Sequence, residues 1–218
     1  DVETRSRALH LYLGSLRATG SGSRVVVVYD GGFCQEVADL YGAECVRFHT
    51  LPSHKDLEAR KAGQVERRFV YWIDFLQSEA AESVQEVLLT DFRDVVFQFK
   101  DPFDNVPRTS SGLTLFSEDS SILSGEDKTL MGKCERCANM GVYGSERICH
   151  DLSGLPLINI GIFFGQKRVV SANLKIFGEA LQGTQYRCWD QYVFAALLWS
   201  GTLQGELNIR VAAAEKAK

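Results

Sequence analysis

The 218-residue chain has no apolar run near the roughly 20 residues that a membrane-spanning helix needs, so we expect no membrane span within it. It also lacks a basic excess, because 24 Lys and Arg stand against 28 Asp and Glu, a net charge of -4. Nucleic acid is therefore not an expected partner, since phosphates favour a basic surface. Asn-x-Ser/Thr sequons are absent as well, so glycosylation sites give no support for a secretory route.

Cysteine is too sparse for a disulfide scaffold, with six in the whole chain. An even number still suits a secreted or luminal protein, so the compartment stays open. Cys134, Cys137 and Cys149 with His150 have three interpretations: a structural zinc site, a disulfide, or free thiols. Adjacent Cys and His as two ligands of one tetrahedral ion is unusual geometry, which disfavours zinc.

The length and composition predict one globular domain over residues 1–218, with 45% hydrophobic and 24% charged residues. Strand-like and helix-like patterns alternate along it. Strands are predicted at 24–29, 45–49, 87–89, 112–116, 158–164 and 206–211, and helices at 3–19, 33–41, 65–76, 170–181 and 189–199. This alternation predicts an α/β fold with a doubly wound, mostly parallel central sheet and helices on both faces. Residues 117–156 break the pattern and predict an irregular inserted loop.

The stretch EVLLTDFRDVVFQFKDPF, residues 86–103, places two acids after a short apolar run. Residues 87–89 predict the central strand of the sheet, because apolar side chains on both faces indicate layers on both sides. Ligands of open α/β sheets lie beyond the carboxyl ends of such strands, where Asp91 and Asp94 follow. Two carboxylates there suit a hard divalent cation that bridges a diphosphate. In the alternative, one Asp caps a turn and the other pairs with Arg93.

Two further segments carry polar residues in matching places. Asn159 and Gly161 lie within the predicted strand INIGIFF, where glycine lets a ligand approach the backbone. Asp190 and Gln191 stand at the start of an apolar helix. An acid at that position is often only an N-cap, so both a binding role and a capping role stay open for Asp190.

Together these stretches resemble the nucleotide-sugar glycosyltransferases of the GT-A fold, which is Rossmann-like. The likeness is to the group around bacterial lipopolysaccharide galactosyltransferases and glycogenin. It rests on ERRFVYWIDFL leading into VLLTDFRDVVFQFKDPF, on FSED, on INIGIFFG and on WDQYVFAALL, which span roughly residues 24–200. As an ordered set the pattern is moderately specific, whereas each piece alone is weak.

The resemblance implies a role for each matching residue. Asp91 and Asp94 would hold Mn²⁺ or Mg²⁺ and through it the donor diphosphate, although their spacing here is Asp-x-x-Asp where the family has Asp-x-Asp. Asp190 and Gln191 resemble a catalytic Asp-Gln pair beside the donor sugar. The implied donor-binding residues are Arg67, Arg68, Asp91, Arg93, Asn159 and Gly161.

The chemistry of the transfer suits these residue types. A metal ion and an arginine neutralise the charge that develops on the leaving diphosphate. If the reaction inverts, Asp190 serves as the base for the acceptor hydroxyl. If it retains, the leaving phosphate takes the proton and Asp190 orients the sugar. Both outcomes stay open at this point.

The implied partners are a nucleotide-sugar donor and a carbohydrate or glycoprotein acceptor. The expected donor is a UDP-sugar, and residues 117–156 would face the acceptor. Family members begin with a nucleotide-binding strand and many carry a late His, and this chain shows neither. We therefore expect a domain that lacks its first strand and its C-terminal end. If the protein is eukaryotic, the resemblance implies that it lies in the Golgi lumen, with a membrane anchor outside this chain. Otherwise the resemblance implies the cytoplasm.

Two other functions compete with transfer. One is a metal-dependent phosphohydrolase or nucleotidyltransferase, which shares the acids but releases phosphate or pyrophosphate. The other is a non-catalytic domain of the same fold that binds a glycan or a partner protein.

Overall fold

The computed structural model describes residues 2–29, 34–51, 53, 55, 64–92, 95–98, 101–105, 112–117, 158–182 and 190–210. The chain divides into two compact units. Unit 1 comprises Asp1–Ala62 and Thr90–Arg108, and unit 2 comprises Gly63–Leu89 and Thr109–Lys218. The single domain over residues 1–218 stays a prediction.

The described part of unit 1 contains helices and a pair of parallel strands. Its elements are α1 (Val2–Ala18), β1 (Val26–Tyr29), α2 (Cys34–Tyr41), β2 (Glu44–Arg47), a 3₁₀ turn (Phe48–Thr50) and a helical turn (Pro102–Asn105). The side chains that predicted α1 are buried, namely Leu9, Tyr12, Leu13 and Leu16. Gly42 ends α2 with a φ of 62°, a conformation that glycine adopts at little cost. The helices and strands predicted for this part of the chain are confirmed, except that the strand predicted over 45–49 ends at Arg47, where the 3₁₀ turn follows.

One apolar side chain of α2 faces solvent. Leu40 is 71% exposed. Cys34, Val37 and Ala38 fill the buried face, because they repeat at the i, i+3, i+4 spacing of one side of a helix. Leu40 falls outside this stripe.

A disulfide joins Cys34 to Cys45, with the two Cα atoms 6.2 Å apart. It links the first residue of α2 to the second residue of β2. Cys34 is fully buried in the core of unit 1 together with Leu9, Leu13 and Val37. Cys134, Cys137, Cys149 and Cys188 lie outside the described residues, so the three interpretations of the loop cysteines stay open.

Unit 2 is built around a four-stranded sheet. Its elements are α3 (Gln64–Gln77), a 3₁₀ turn (Glu79–Ala81), β3 (Glu86–Thr90, of which Thr90 falls in unit 1), β4 (Gly112–Ser117), β5 (Ile158–Gln166), α4 (Lys167–Gln182), α5 (Asp190–Trp199) and β6 (Glu206–Arg210). The strand order is β3-β5-β4-β6. The predicted helices and strands of this part are also confirmed.

The α/β class is confirmed, but the arrangement of strands differs from the expectation of one long, mostly parallel sheet. The described strands form two small sheets, and β4 pairs with β6 in parallel but with β5 in antiparallel fashion. Among the described strands, β3 is at the end of the order rather than central. Its side chains agree with that place, because Val87 is buried and the other four are only partly buried.

The core of unit 2 is aromatic. Rings of α3, β5, α4 and α5 meet edge to face, which is a favoured geometry for aromatic pairs. The rings are those of Phe69, Trp72, Phe163, Phe177 and Phe194, with centroids 4.6–6.4 Å apart. Through Phe194, this packing places α5 against β5 and α4.

A buried amide ties α4 to the turn that precedes β6. The Asn173 side chain donates to the carbonyl oxygens of Val169 and Gln204 at 3.0 and 2.9 Å, and its Oδ1 accepts from the Gln204 N–H at 2.7 Å. Three hydrogen bonds satisfy a polar group that is otherwise costly to bury.

The predicted inserted loop, residues 117–156, lies outside the described residues except for Ser117, which is the last residue of β4. In the part of the chain that the structure describes, none of the helices combines the length and the apolar character that crossing a membrane requires.

Candidate functional site

An ion pair joins α3 to the start of α5 in unit 2. Arg68 Nη2 donates to Asp190 Oδ2 at 3.1 Å. The Arg68 side chain is 24% exposed and that of Asp190 is 17% exposed, so the pair is largely shielded from water. Each group stabilises the other, because a charge that is shielded from water and lacks a partner of opposite sign is costly.

Aromatic rings orient the Arg68 side chain. Its guanidinium carbon lies 4.5 Å from the centroid of the Phe69 ring and 5.9 Å from that of Trp72. Both distances are within the range of cation–π attraction. The rings belong to the core, so they present the guanidinium from a rigid surface.

Asp190 and Gln191 begin α5, as the sequence predicted. Asp190 Oδ1 accepts from the Gln191 N–H at 2.9 Å, so this oxygen satisfies one of the unpaired donors at the helix start. Asp190 therefore combines the capping role with an ion pair, because its two oxygens face different partners. The Gln191 amide nitrogen lies 3.5 Å from the Ile158 carbonyl oxygen, at the long limit of a hydrogen bond.

The start of β5 carries a register shift next to this contact. Pairing with β4 passes directly from Leu115–Phe163 to Phe116–Asn159, so residues 160–162 are taken up in an irregularity of β5. Asn159 Oδ1 accepts from the Gly161 N–H at 2.8 Å and closes this irregularity. Such bulges re-aim side chains and are enriched beside active sites.

The structure thus brings together residues that the sequence placed in three separate stretches. We call them the Arg68 group, which consists of Arg68, Asp190, Gln191 and residues 158–161. Arg67, also predicted to bind the donor, is half-buried in α3.

The predicted metal ligands belong to another part of the chain. Asp91, in unit 1, is half-buried directly after β3, and the Thr90 hydroxyl donates to its carbonyl oxygen at 2.8 Å. A carboxylate has the oxygen chemistry that Mg²⁺ and Mn²⁺ prefer, so Asp91 fits as one ligand. Arg93 and Asp94 lie outside the described residues. Within the described ranges, no group of three or more His, Cys, Asp or Glu side chains could hold a metal ion.

The residues predicted from the sequence to form the site did not include Phe69 and Trp72. Trp72 follows Arg68 by four positions, a spacing that places two side chains side by side on a helix. That spacing is the signal that could have identified the ring beneath the guanidinium.

A comparison of this chain with protein-family models finds no match, and a comparison with curated proteins finds none either.

Proposed function

We propose that this chain is a metal-dependent glycosyltransferase with a GT-A-like fold. It would move a sugar from a nucleotide-sugar donor to a hydroxyl of a carbohydrate or glycoprotein. The donor that we expect is a UDP-sugar. The observation that carries the proposal is the Arg68 group, since Arg68, Asn159, Gly161, Asp190 and Gln191 are the residues that the resemblance assigns to the donor.

A sugar donor offers hydroxyl groups and a diphosphate, and the Arg68 group has complementary chemistry. Asp190 can accept from sugar hydroxyls, the Gln191 amide can donate and accept, and Arg68 contributes a positive charge. Their half-buried placement strengthens such contacts, because charged hydrogen bonds are stronger where water is scarce.

The contacts of Asp190 favour one of its two expected roles. One of its oxygens accepts from Arg68 Nη2 and the other from the Gln191 N–H. A carboxylate held at both oxygens is suited to orient the donor sugar and less suited to take a proton from the acceptor. In this proposal the bond between the sugar and the diphosphate breaks, the acceptor oxygen bonds to the sugar, and the leaving phosphate takes the acceptor proton.

Asp91 and Asp94 would hold Mn²⁺ or Mg²⁺, an expectation that rests on the sequence resemblance. The cation, when bound, supplies positive charge for the leaving diphosphate.

The experiment is titration calorimetry of the full chain with UDP and Mn²⁺, followed by product analysis with UDP-sugars. We expect UDP binding that depends on Mn²⁺, and release of UDP rather than phosphate or pyrophosphate. Asp190→Asn should lower donor turnover by about 10² or more, because removal of one transition-state contact has effects of that size. Glu179→Gln, an exposed change on α4, is the matched control and should leave turnover unchanged.

The double variant Asp91→Ala, Asp94→Ala tests the metal ligands. It should abolish Mn²⁺-dependent UDP binding, whereas Asp104→Ala, at a nearby exposed acid, should retain it. Absence of UDP binding by the unaltered chain would overturn the transferase proposal. Retained metal-dependent turnover in the double variant would show that the two acids are structural.

A further inference from the structure

The disulfide of unit 1 lies in the same apolar core as the segment that carries Asp91. Cys34 is buried in this core, and Cys45 packs against it. Phe92, Val95 and Phe97 pack against the same core from the other stretch of unit 1. We call residues 90–92 and 95–98 the Asp91 segment.

Specific contacts fasten the Asp91 segment to α1. The Phe97 N–H donates to Ser15 Oγ at 3.1 Å, and Ser15 Oγ donates in turn to the Tyr12 carbonyl oxygen at 2.9 Å. The rings of Phe97 and Tyr12 meet edge to face, with centroids 5.3 Å apart. Movement of this core therefore reaches the Asp91 segment directly.

The two ends of α2 are held by different means. At its end, Arg17 Nε donates to the Tyr41 carbonyl oxygen at 2.8 Å and Arg17 Nη2 to that of Gly42 at 3.2 Å. At its start, the disulfide joins Cys34 to β2. A helix of eight residues has little stability of its own, so its packing depends on such attachments.

We propose that the Cys34–Cys45 disulfide is a redox-sensitive staple that holds the core beneath the Asp91 segment. In the oxidised protein the start of α2 stays packed and the Asp91 segment rests on a rigid surface. A dithiol reductant transfers two electrons and two protons to the bond, so Cys34 and Cys45 become thiols while the reductant closes to its own disulfide. The start of α2 then loosens, and the Asp91 segment loosens with it.

The inference is independent of the proposed transferase activity. It also assigns the working form of the chain to an oxidising compartment, because disulfides persist there and are reduced in the cytosol.

The test is hydrogen–deuterium exchange of the full chain with and without dithiothreitol, after peptide mapping under non-reducing conditions. We expect a Cys34–Cys45 linked peptide in the oxidised protein. Reduction should speed exchange in residues 34–47 and 90–98 and leave α4 unchanged. The melting temperature should fall on the order of 5–10 °C, the shift expected when a short disulfide loop opens in a chain of this size.

The double variant Cys34→Ala, Cys45→Ala separates this bond from the other cysteines. It should show fast exchange in residues 34–47 and 90–98 without reductant, and no further change there when reductant is added. If the variant does not fold, a chain in which the other four cysteines are replaced by serine, measured before and after reduction and alkylation, provides the same comparison. Lack of the linked peptide, or unchanged exchange in residues 90–98 after reduction, would overturn the inference.

Discussion

The guanidinium of Arg68 lies 3.1 Å from the carboxylate of Asp190, although 122 positions separate the two residues in the sequence. The contact fixes the start of α5 against α3. It also determines which way the carboxylate faces, because the other oxygen caps α5. Stability and site geometry thus depend on one ion pair.

We predict that Arg68 and Asp190 are energetically coupled. Arg68→Met or Asp190→Asn alone should lower the free energy of unfolding by about 1–3 kcal/mol, less than for a fully buried pair because both side chains retain some exposure. The double variant should lose less than the sum of the two single losses, with a coupling of about 1 kcal/mol or more. Urea unfolding of the four proteins gives this coupling.

An exposed pair in unit 1 is the control for this cycle. Arg7 Nη2 lies 2.7 Å from Glu3 Oε1, but the side chains of Arg7 and Glu3 are 79% and 70% exposed. Their coupling should be about 0.5 kcal/mol or less, since water screens such pairs. Equal coupling in both cycles would contradict the view that burial makes the Arg68 pair strong.

Gly165 is predicted to tolerate no side chain. A Cβ atom there would clash with the backbone carbonyl oxygen of Gly112 on the paired strand β4. Gly165→Ala should therefore lower the free energy of unfolding by about 1–3 kcal/mol, because the clash is with backbone that cannot move aside cheaply. Thermal unfolding measures the change.

Gly178, which lies within α4, is the comparison for Gly165. A Cβ atom there would lie 3.4 Å from Ile73 Cδ1, the end of a flexible side chain. Gly178→Ala should stabilise the protein by up to about 1 kcal/mol, because alanine favours the helix interior. The packing described for β4, β5 and α4 would be contradicted if Gly165→Ala raised the free energy of unfolding. It would also be contradicted if Gly178→Ala lowered that free energy as much as is expected for Gly165→Ala.

A pH-dependent contribution is predicted from the pair of Arg24, two residues before β1, and Glu44, the first residue of β2, because Arg24 Nε lies 2.7 Å from Glu44 Oε1. The hydrogen bond from Arg24 holds the pKa of Glu44 below its ordinary value of 4.5. The stabilisation is therefore complete above pH 4.5 and is lost as the pH falls through the lower pKa of the folded state.

Its size should be about 0.2–1 kcal/mol, because the pair is exposed. A double-mutant cycle with Arg24→Gln and Glu44→Gln, measured by urea unfolding at pH 7 and again at pH 3, checks both size and direction. A coupling that grows on acidification would contradict the assignment.

Helices and strands could be predicted because their signals are local. Phe69, Trp72 and Leu76 repeat at helical spacing, and the structure contains α3 at that place. Strand pairing has no such local signal. GLTLF and INIGIFF are apolar on both faces, a pattern that is more typical of parallel strands and therefore predicted the wrong orientation for this pair. Their antiparallel pairing depends on the path of the chain between them.

The candidate site shows the same division between local and distant information. Sequence reasoning could select Asp190 by its place before an apolar helix, and Asn159 by its place within a strand. It could not join Asp190 to Arg68, because a contact across 122 positions leaves no periodic pattern. The partner of Cys34 was equally out of reach, since six cysteines allow 15 pairings.

The division of the chain into Asp1–Ala62 with Thr90–Arg108, and Gly63–Leu89 with Thr109–Lys218, has a consequence for synthesis on the ribosome. Neither unit is a continuous stretch, so unit 1 cannot be completed until Arg108 has emerged, by which time α3 and β3 are already outside the tunnel. The apolar side chains of those two elements stay exposed until β4 and β5 have been synthesised and complete their core. The nascent chain therefore carries the stretch Gly63–Leu89 without the rest of unit 2 while unit 1 closes, and chaperone binding is expected at that stage.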